Sequence, residues 1–486
     1  MINTKIILKI IGFLLFIEAG LLLLCSLFPI YYDEKDLVPI LIAAAASTIG
    51  GIVLSLGGRN ANRKQLNRRD GYIIVAISWV VFTLFGMLPY YISGYIPHIT
   101  DAFFETISGF TTTGASILNN IEALPHGLLF WRSMTQWIGG LGIIFFTLAV
   151  LPIFGSGGVQ LFAAEATGPK HDKVRPRVEE TARWIWSIYL GLTILGIVLF
   201  RLGDMSWFDS ICHSLTTTAT GGYSTKQNSI AAYDSIYIEY VTTILMFLSG
   251  INFTLLFLSI FKGRIKKLFK DTEFQWYATI ALVFTVIITI GLAFGRQYGS
   301  VEEAFRKALF QVVSIQTTTG FASADYMLWP PFLWFLITLL MYTGACAGST
   351  SGAIKCIRIA MLFKVAWGEF KRILHPNAVI PVRISGHVIA PQMKITLLAF
   401  LALYVVLTLL GWAMLILFGC NFTEAYGIVV SSLGNVGPGL GSYGPAYSWS
   451  NLPDIAKWIS SFLMLAGRLE LFSVLLLFTP AFWRKR

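Results

Sequence analysis

Apolar residues fill this chain in runs of twenty or more, and between alternate runs lie shorter stretches in which polar and apolar positions mix. A helix crosses roughly 30 Å of hydrocarbon with about 20 residues. By that measure ten runs predict membrane spans: residues 6–30, 37–56, 72–94, 128–154, 184–202, 236–261, 276–294, 331–363, 394–418 and 455–482. Four semi-polar stretches, 101–113, 209–220, 307–319 and 424–436, are too short to cross and read as re-entrant helices. The first two spans stand apart. The remaining eight divide into four units of span, short helix, loop and span, like one subunit each of a tetrameric channel. The expected fold is an all-α integral membrane protein with four pseudo-repeats around a central pore. Residues 1–57 carry the two extra spans; 71–154, 180–262, 272–366 and 390–483 are the pore units, the third with a broken second span.

Each semi-polar stretch runs into a loop of small residues. The loops are Thr111-Thr112-Thr113-Gly114-Ala115, Ala219-Thr220-Gly221-Gly222-Tyr223, Gln316-Thr317-Thr318-Thr319-Gly320-Phe321 and Asn435-Val436-Gly437-Pro438-Gly439. Asp101 to Glu105 precede Gly114 at the offset at which Lys307 to Gln311 precede Gly320, and Glu424-Ala425-Tyr426 matches before Gly437. In the second unit Gly221 is one residue out of register and Gly222 is in register, so both remain candidates. Irregular backbone cannot face lipid, because each unsatisfied N–H or C=O there costs several kcal/mol, so four such loops must line water or protein. Glycine permits conformations that turn successive carbonyls toward one axis, where they replace the hydration shell of a potassium ion. The candidate ion-binding residues are Thr112, Thr113, Gly114, Thr220, Gly221, Gly222, Thr318, Thr319, Gly320, Asn435, Val436 and Gly437. Each short helix would aim the negative end of its dipole at the same point.

Composition agrees with a polytopic membrane protein: 486 residues, 56% hydrophobic and 13% charged. The net charge of +11 would suit a nucleic-acid binder, but the Lys and Arg sit in short clusters between apolar runs rather than on one surface. These clusters are Arg59, Arg63, Lys64, Arg68 and Arg69; Lys170, Lys173, Arg175, Arg177 and Arg183; Lys262, Arg264, Lys266, Lys267 and Lys270; Arg358, Lys364, Lys371, Arg372 and Arg383; and the final Arg484, Lys485 and Arg486. In a ten-span count all fall on one side, which marks that side and both termini as cytoplasmic. Asp101, Glu105, Asp209, Glu302, Glu303 and Glu424 fall on the other, predicting an acidic outer vestibule.

Five cysteines without CxxC spacing support neither a disulfide framework nor zinc. The six histidines lack ligand spacing and read as surface or loop residues. No P-loop, G-x-S-x-G or H-E-x-x-H is present, so no enzyme or bound cofactor is expected.

Two features suggest a gate. The run 331–363 exceeds one span, and its centre reads Gly344-Ala345-Cys346-Ala347-Gly348-Ser349-Thr350-Ser351-Gly352. That pattern fits a helix broken into a mobile loop, and equally a small-residue packing face on an unbroken helix. Arg468 sits in the middle of the last run, where a charge must face water or a partner. A pore-facing barrier below the loops is the preferred reading; Lys355 is a second candidate.

The loops Thr111-Thr112-Thr113-Gly114, Ala219-Thr220-Gly221-Gly222-Tyr223-Ser224-Thr225, Thr317-Thr318-Thr319-Gly320-Phe321 and Gly434-Asn435-Val436-Gly437-Pro438-Gly439-Leu440-Gly441 resemble those of the TrkH family of bacterial potassium-uptake proteins, relatives of KtrB and the plant HKT transporters. The resemblance covers the whole chain, and the two extra spans favour TrkH over KtrB. It implies potassium uptake across the bacterial inner membrane. A serine at the first filter glycine goes with sodium transport in that superfamily, and the residue here is Gly114. The resemblance also implies a gating loop at 344–352 with Arg468 as barrier, a homodimer, and a cytoplasmic nucleotide-binding regulatory partner (TrkA-like). A proton- or sodium-coupled symporter on the same scaffold is the alternative.

Overall fold

In lipid the backbone must satisfy its own hydrogen bonds, so long apolar runs close into helices. A computed structural model describes residues 2–59, 67–154 and 178–484. Arg63, Lys64, Lys170, Lys173, Arg175, Arg177, Lys485 and Arg486 lie outside the described residues. The chain is a mostly helical membrane protein; among the described residues one hairpin forms, in which Arg383 pairs with Val388 and Ile384 with His387. Among the described residues, six helices are long and apolar enough to cross a membrane, and two bent pairs bring the number to eight.

Two predicted spans are bent where the sequence reading had them continuous. The run 236–261 folds as Ile236–Ser249 and Phe253–Ile260, turned by 104°. Asn252 restarts the helix, its side chain accepting from the amides of Thr254 at 2.9 Å and Leu255 at 3.1 Å. The run 455–482 breaks after Asp454–Arg468 and turns by 112°, with Glu470 and Leu471 both at positive φ. The run 331–363 is interrupted as one reading of its small residues expected: Pro331–Leu340 is helical, 341–355 is loop, and Cys356–Leu374 resumes the helix.

The two N-terminal helices, Thr4–Cys25 and Leu37–Gly57, cross closely because Gly12 lies against the backbone of Gly51 and Ser55. Small residues permit that approach where lipid offers no hydrophobic drive.

The four semi-polar stretches form the short helices Ile99–Phe110, Trp207–Thr218, Val301–Gln316 and Phe422–Gly434. Each carries a carboxylate in its first turn, Asp101, Asp209, Glu302 with Glu303, and Glu424, on the positive end of the helix dipole. Ser206 and Ser300 cap two of them through the amides of Asp209 and Glu303. Polarity is arranged inside out. The most apolar stretches of Leu37–Gly57, Thr272–Phe294 and Pro391–Leu417 are only 28% buried, while Thr106, Ser108, Ser214, Ser314 and Ser432 on the short helices are buried almost completely. The long helices face lipid and hold the short ones around a polar centre.

Candidate functional site

Each short helix ends because its next residues leave helical geometry in the same order. Thr112, Thr220, Thr318 and Asn435 have φ of 53°, 52°, 57° and 54°; two residues on, Gly114, Gly222, Gly320 and Gly437 have φ of 85°, 79°, 80° and 104°. Left-handed backbone in a threonine costs about 1–2 kcal/mol. Here it recurs at matching positions and is held by matching bonds. The amides of Thr113, Gly221, Thr319 and Val436 donate to the carbonyls of Ser108, Thr216, Ser314 and Ser431 at 2.8–2.9 Å. Thr111 and Thr113 share a hydroxyl bond of 2.8 Å, as Thr317 and Thr319 do at 2.7 Å.

The four loops close into a ring. A methyl group on Gly114 would run into the carbonyl oxygen of Gly221, one on Gly222 into that of Thr319, one on Gly320 into that of Val436, and one on Gly437 into that of Thr113. Each glycine therefore lies against the carbonyl of the next loop, in cyclic order. The register of the second loop follows: Gly222 matches Gly114, Gly320 and Gly437, while Gly221 supplies its carbonyl in the place of Thr113, Thr319 and Val436. Thr112, Thr113, Thr220, Thr318, Thr319, Asn435 and Val436 are all fully buried.

Residues that the sequence reading missed hold the ring from outside. Gln136 donates to the Gly221 carbonyl at 2.7 Å and accepts from the Tyr223 amide at 3.0 Å. Arg132, one turn earlier, bonds Glu105 at 2.7 Å and the Ser224 carbonyl at 2.9 Å, and covers the Tyr223 ring at 3.5 Å. Their spacing of four in an otherwise apolar run was the signal available.

A cavity of about 80 Å³ opens outside the ring, lined by all four glycines together with Arg132, Lys226 and Trp449. Among the described residues no carboxylate lines it, and two of the acids expected in an outer vestibule are drawn into ion pairs, while Glu302 stays exposed. Glu105 is buried against Arg132, and Asp101 pairs with Lys457 at 2.6 Å. Burial of paired carboxylates behind the loops uses their charge for structure, and the half-buried Lys226 lines the mouth. The histidine reading also needs correction: His213 is fully buried, its Nδ1 donating to the Asp209 carbonyl at 2.8 Å and its Nε2 facing the Ser224 hydroxyl at 2.9 Å. A larger cavity, about 390 Å³ between Trp276, Trp367 and Arg383, lies away from the ring.

On the other side of the ring lies the 344–352 loop. Thr350 bonds the Thr218 carbonyl and the Thr220 hydroxyl, each at 3.1 Å, and the Gly352 amide donates to the Thr318 hydroxyl at 2.7 Å. Gly352 also lies against Gly434 and Asn435. The loop thus touches three of the four quadrants. Arg468 reaches the rest, donating to the Thr350 carbonyl at 2.7 Å and to the Gly139 carbonyl at 2.6 Å.

The far side of the loop fills the elbow of the bent second-unit span: Cys346 donates to the Gly250 carbonyl at 3.0 Å, Phe253 donates to that of Gly348 at 3.1 Å, and Asn252 donates to that of Ala347 at 2.6 Å. The Ala347 amide donates to Glu273 at 2.6 Å. Gly344 and Ala345 fold back within the loop, onto the Ile354 carbonyl at 2.9 Å and the Ser351 hydroxyl at 3.2 Å. Ser349 bonds the Cys346 carbonyl, and Lys355 bonds that of Ser351. Glu470 is tied to Arg358 rather than to Arg468.

A family profile described as a TrkH cation transport protein matches residues 42–485. The Trk system potassium uptake protein TrkH of Salmonella typhimurium is 39% identical over 99% of this chain and all of that protein. TrkH of Escherichia coli K12 is 38% identical and TrkG of the same strain 34%, each over 99% of this chain. The crystal structure of the potassium transporter TrkH from Vibrio parahaemolyticus matches with a TM-score of 0.89 at 36% identity, covering 99% of both chains.

Proposed function

The chain belongs to the TrkH family of cation transport proteins, and from that membership and the closed ring we propose that it takes up potassium through an axial, channel-like pathway. The observation that carries this reading is the head-to-tail order of the loops, glycine against carbonyl four times over. The carbonyls of Thr113, Gly221, Thr319 and Val436, backed by short-helix dipoles, form the selectivity filter, with Gly114, Gly222, Gly320 and Gly437 giving their neighbours room. The Thr112 hydroxyl, buried and without a hydrogen-bond partner, is a further oxygen for an ion.

In this reading the four units 71–154, 180–262, 272–366 and 390–483 are pore repeats, and residues 344–352 with Arg468 form the gate. The loop closes the inner side of the filter by bonding Thr218, Thr220 and Thr318, and Arg468 staples it to the first unit. By the same reading the basic clusters and both termini lie on the cytoplasmic side, facing a nucleotide-binding regulatory subunit of the TrkA type, with a homodimer as the working unit. Passive flow fits the titratable groups better than coupling does, since Glu470 is held by Arg358 and Glu18 is buried beside Gly86.

The test is rubidium uptake into proteoliposomes containing the purified chain, driven only by an outward potassium gradient with pH and sodium equal on both sides. Uptake that sodium blocks poorly, and whose preference for rubidium is lost in Gly114→Ser, supports the reading. Uptake only under an imposed proton or sodium gradient would overturn it in favour of a coupled symporter.

A further inference from the structure

Nine residues before each ring glycine, the short helices carry Glu105, His213, Gln311 and Ile428. The first three reach across to the strand that leaves their own loop. Glu105 accepts from the Ser116 hydroxyl at 3.0 Å and the Ile117 amide at 2.9 Å. His213 meets the Ser224 hydroxyl at 2.9 Å, and Gln311 donates to the Ala324 carbonyl at 3.0 Å. Three chemically unlike side chains thus make the same brace, two to four residues beyond the glycine. All three are buried to within 1% of full exclusion, where a hydrogen bond is strong and has no water to replace it.

The fourth quadrant has no brace at that position, because the Ile428 side chain has nothing to donate or accept; there Glu424, one turn earlier on the helix, accepts from the Ser442 amide at 3.1 Å. A second layer divides two against two, since Thr216 in the second quadrant bonds back to the Cys212 and His213 carbonyls of its own helix at 3.2 Å. Ser108 and Ser314 donate to the carbonyls just past their glycines, Ala115 at 2.6 Å and Phe321 at 2.7 Å, whereas Ser431, at the equivalent place, is buried with no partner for its hydroxyl. The segment after Gly437 is held by the third loop as well, through the Tyr326 hydroxyl on the Gly439 carbonyl at 2.7 Å.

We infer that Glu105, His213 and Gln311 are positioning residues that fix the spacing of the filter carbonyls, and with it the discrimination between potassium and the smaller sodium ion. The fourth quadrant lacks that brace. Discrimination by carbonyls depends on how far they can close around a smaller ion, so a braced loop penalises sodium and a loose one follows it inward. The inference rests on the filter reading above, and the test separates the two.

The measurement is the ratio of sodium to rubidium uptake in proteoliposomes, with Gly114→Ser as the control for the filter itself. Gln311→Leu and His213→Leu should raise the ratio at least threefold, and His213→Gln, which puts the third quadrant's brace into the second, should bring it back. Ser224→Ala removes the partner of His213 with a smaller change in packing and should raise the ratio in the same way. Ile428→Val should leave it unchanged. If the brace variants keep the parental ratio while Gly114→Ser raises it, the brace inference is overturned and the filter stands. If Gly114→Ser also leaves the ratio unchanged, the filter reading falls and the inference falls with it.

Discussion

The ring and the layer beneath it are built on opposite plans. In the ring, four loops of different sequence hold backbone angles within a few degrees of one another at the left-handed residue, and each leans on the next. Beneath it the quadrants take different parts: the third supplies a broken helix, the second an elbow for that loop to fill, and the fourth, though bent like the second, an arginine that ties loop to neighbour. For the proposed filter, which must present the same distance to an ion from every side, Gln136 and Arg132 behind the loops are where sequence differences would be absorbed. A gate needs one element that moves against others that do not, and a symmetric layer has no such element.

The sharpest way to break this contrast is a side chain in the ring. Gly222→Ala places a methyl group against the Thr319 carbonyl in backbone that costs a non-glycine residue about 1–2 kcal/mol even where space is free. Rubidium uptake into proteoliposomes should fall more than tenfold. In the lower layer the sign should reverse. Arg468→Ala removes two hydrogen bonds from a charged donor, each worth about 1.5–3 kcal/mol, from the arrangement that seals the loop. Uptake should rise several-fold, and a fall would show that Arg468 supports the open pathway instead.

Much of the ring was legible because its marks are local. A run of threonine before glycine, placed after a short semi-polar stretch, needs no knowledge of the rest of the chain. The interrupted third-unit span was only half legible, since Gly344 to Gly352 fitted a loop and a small-residue packing face equally, and the family resemblance decided for the loop. The bends at 250–252 and 469–471 were not, because apolar residues continue through both and hydropathy does not see a turn inside a run. Gly250 and Asn252 offered a cue at the first bend; its cause lies ninety residues or more away, in the loop that docks there. Pairings such as Arg358 with Glu470 and Asp101 with Lys457 have no sequence period at all. For that reason two acids assigned to the vestibule by position, Asp101 and Glu105, proved to be struts.

The smallest expected effect sharpens the contrast from outside. Lys226 lines the mouth of the ring without a carboxylate beside it in the cavity, so it should repel the incoming ion weakly. Lys226→Gln should lower the rubidium concentration for half-maximal uptake roughly twofold at low ionic strength, with the difference vanishing in high salt as the Debye length shrinks to about 3 Å. An unchanged value at low salt would place the ammonium outside the ion's path.

The head-to-tail ring has a consequence for how such a protein can change over generations. A channel assembled from four copies of one subunit takes every substitution four times at once, so a mild alteration at the axis becomes a severe one. Here each residue of the ring is written once, and a substitution alters a quarter of the circle together with the one neighbour it leans on. Ion preference can therefore drift in small increments, one quadrant at a time, with the other three keeping the pathway in working order.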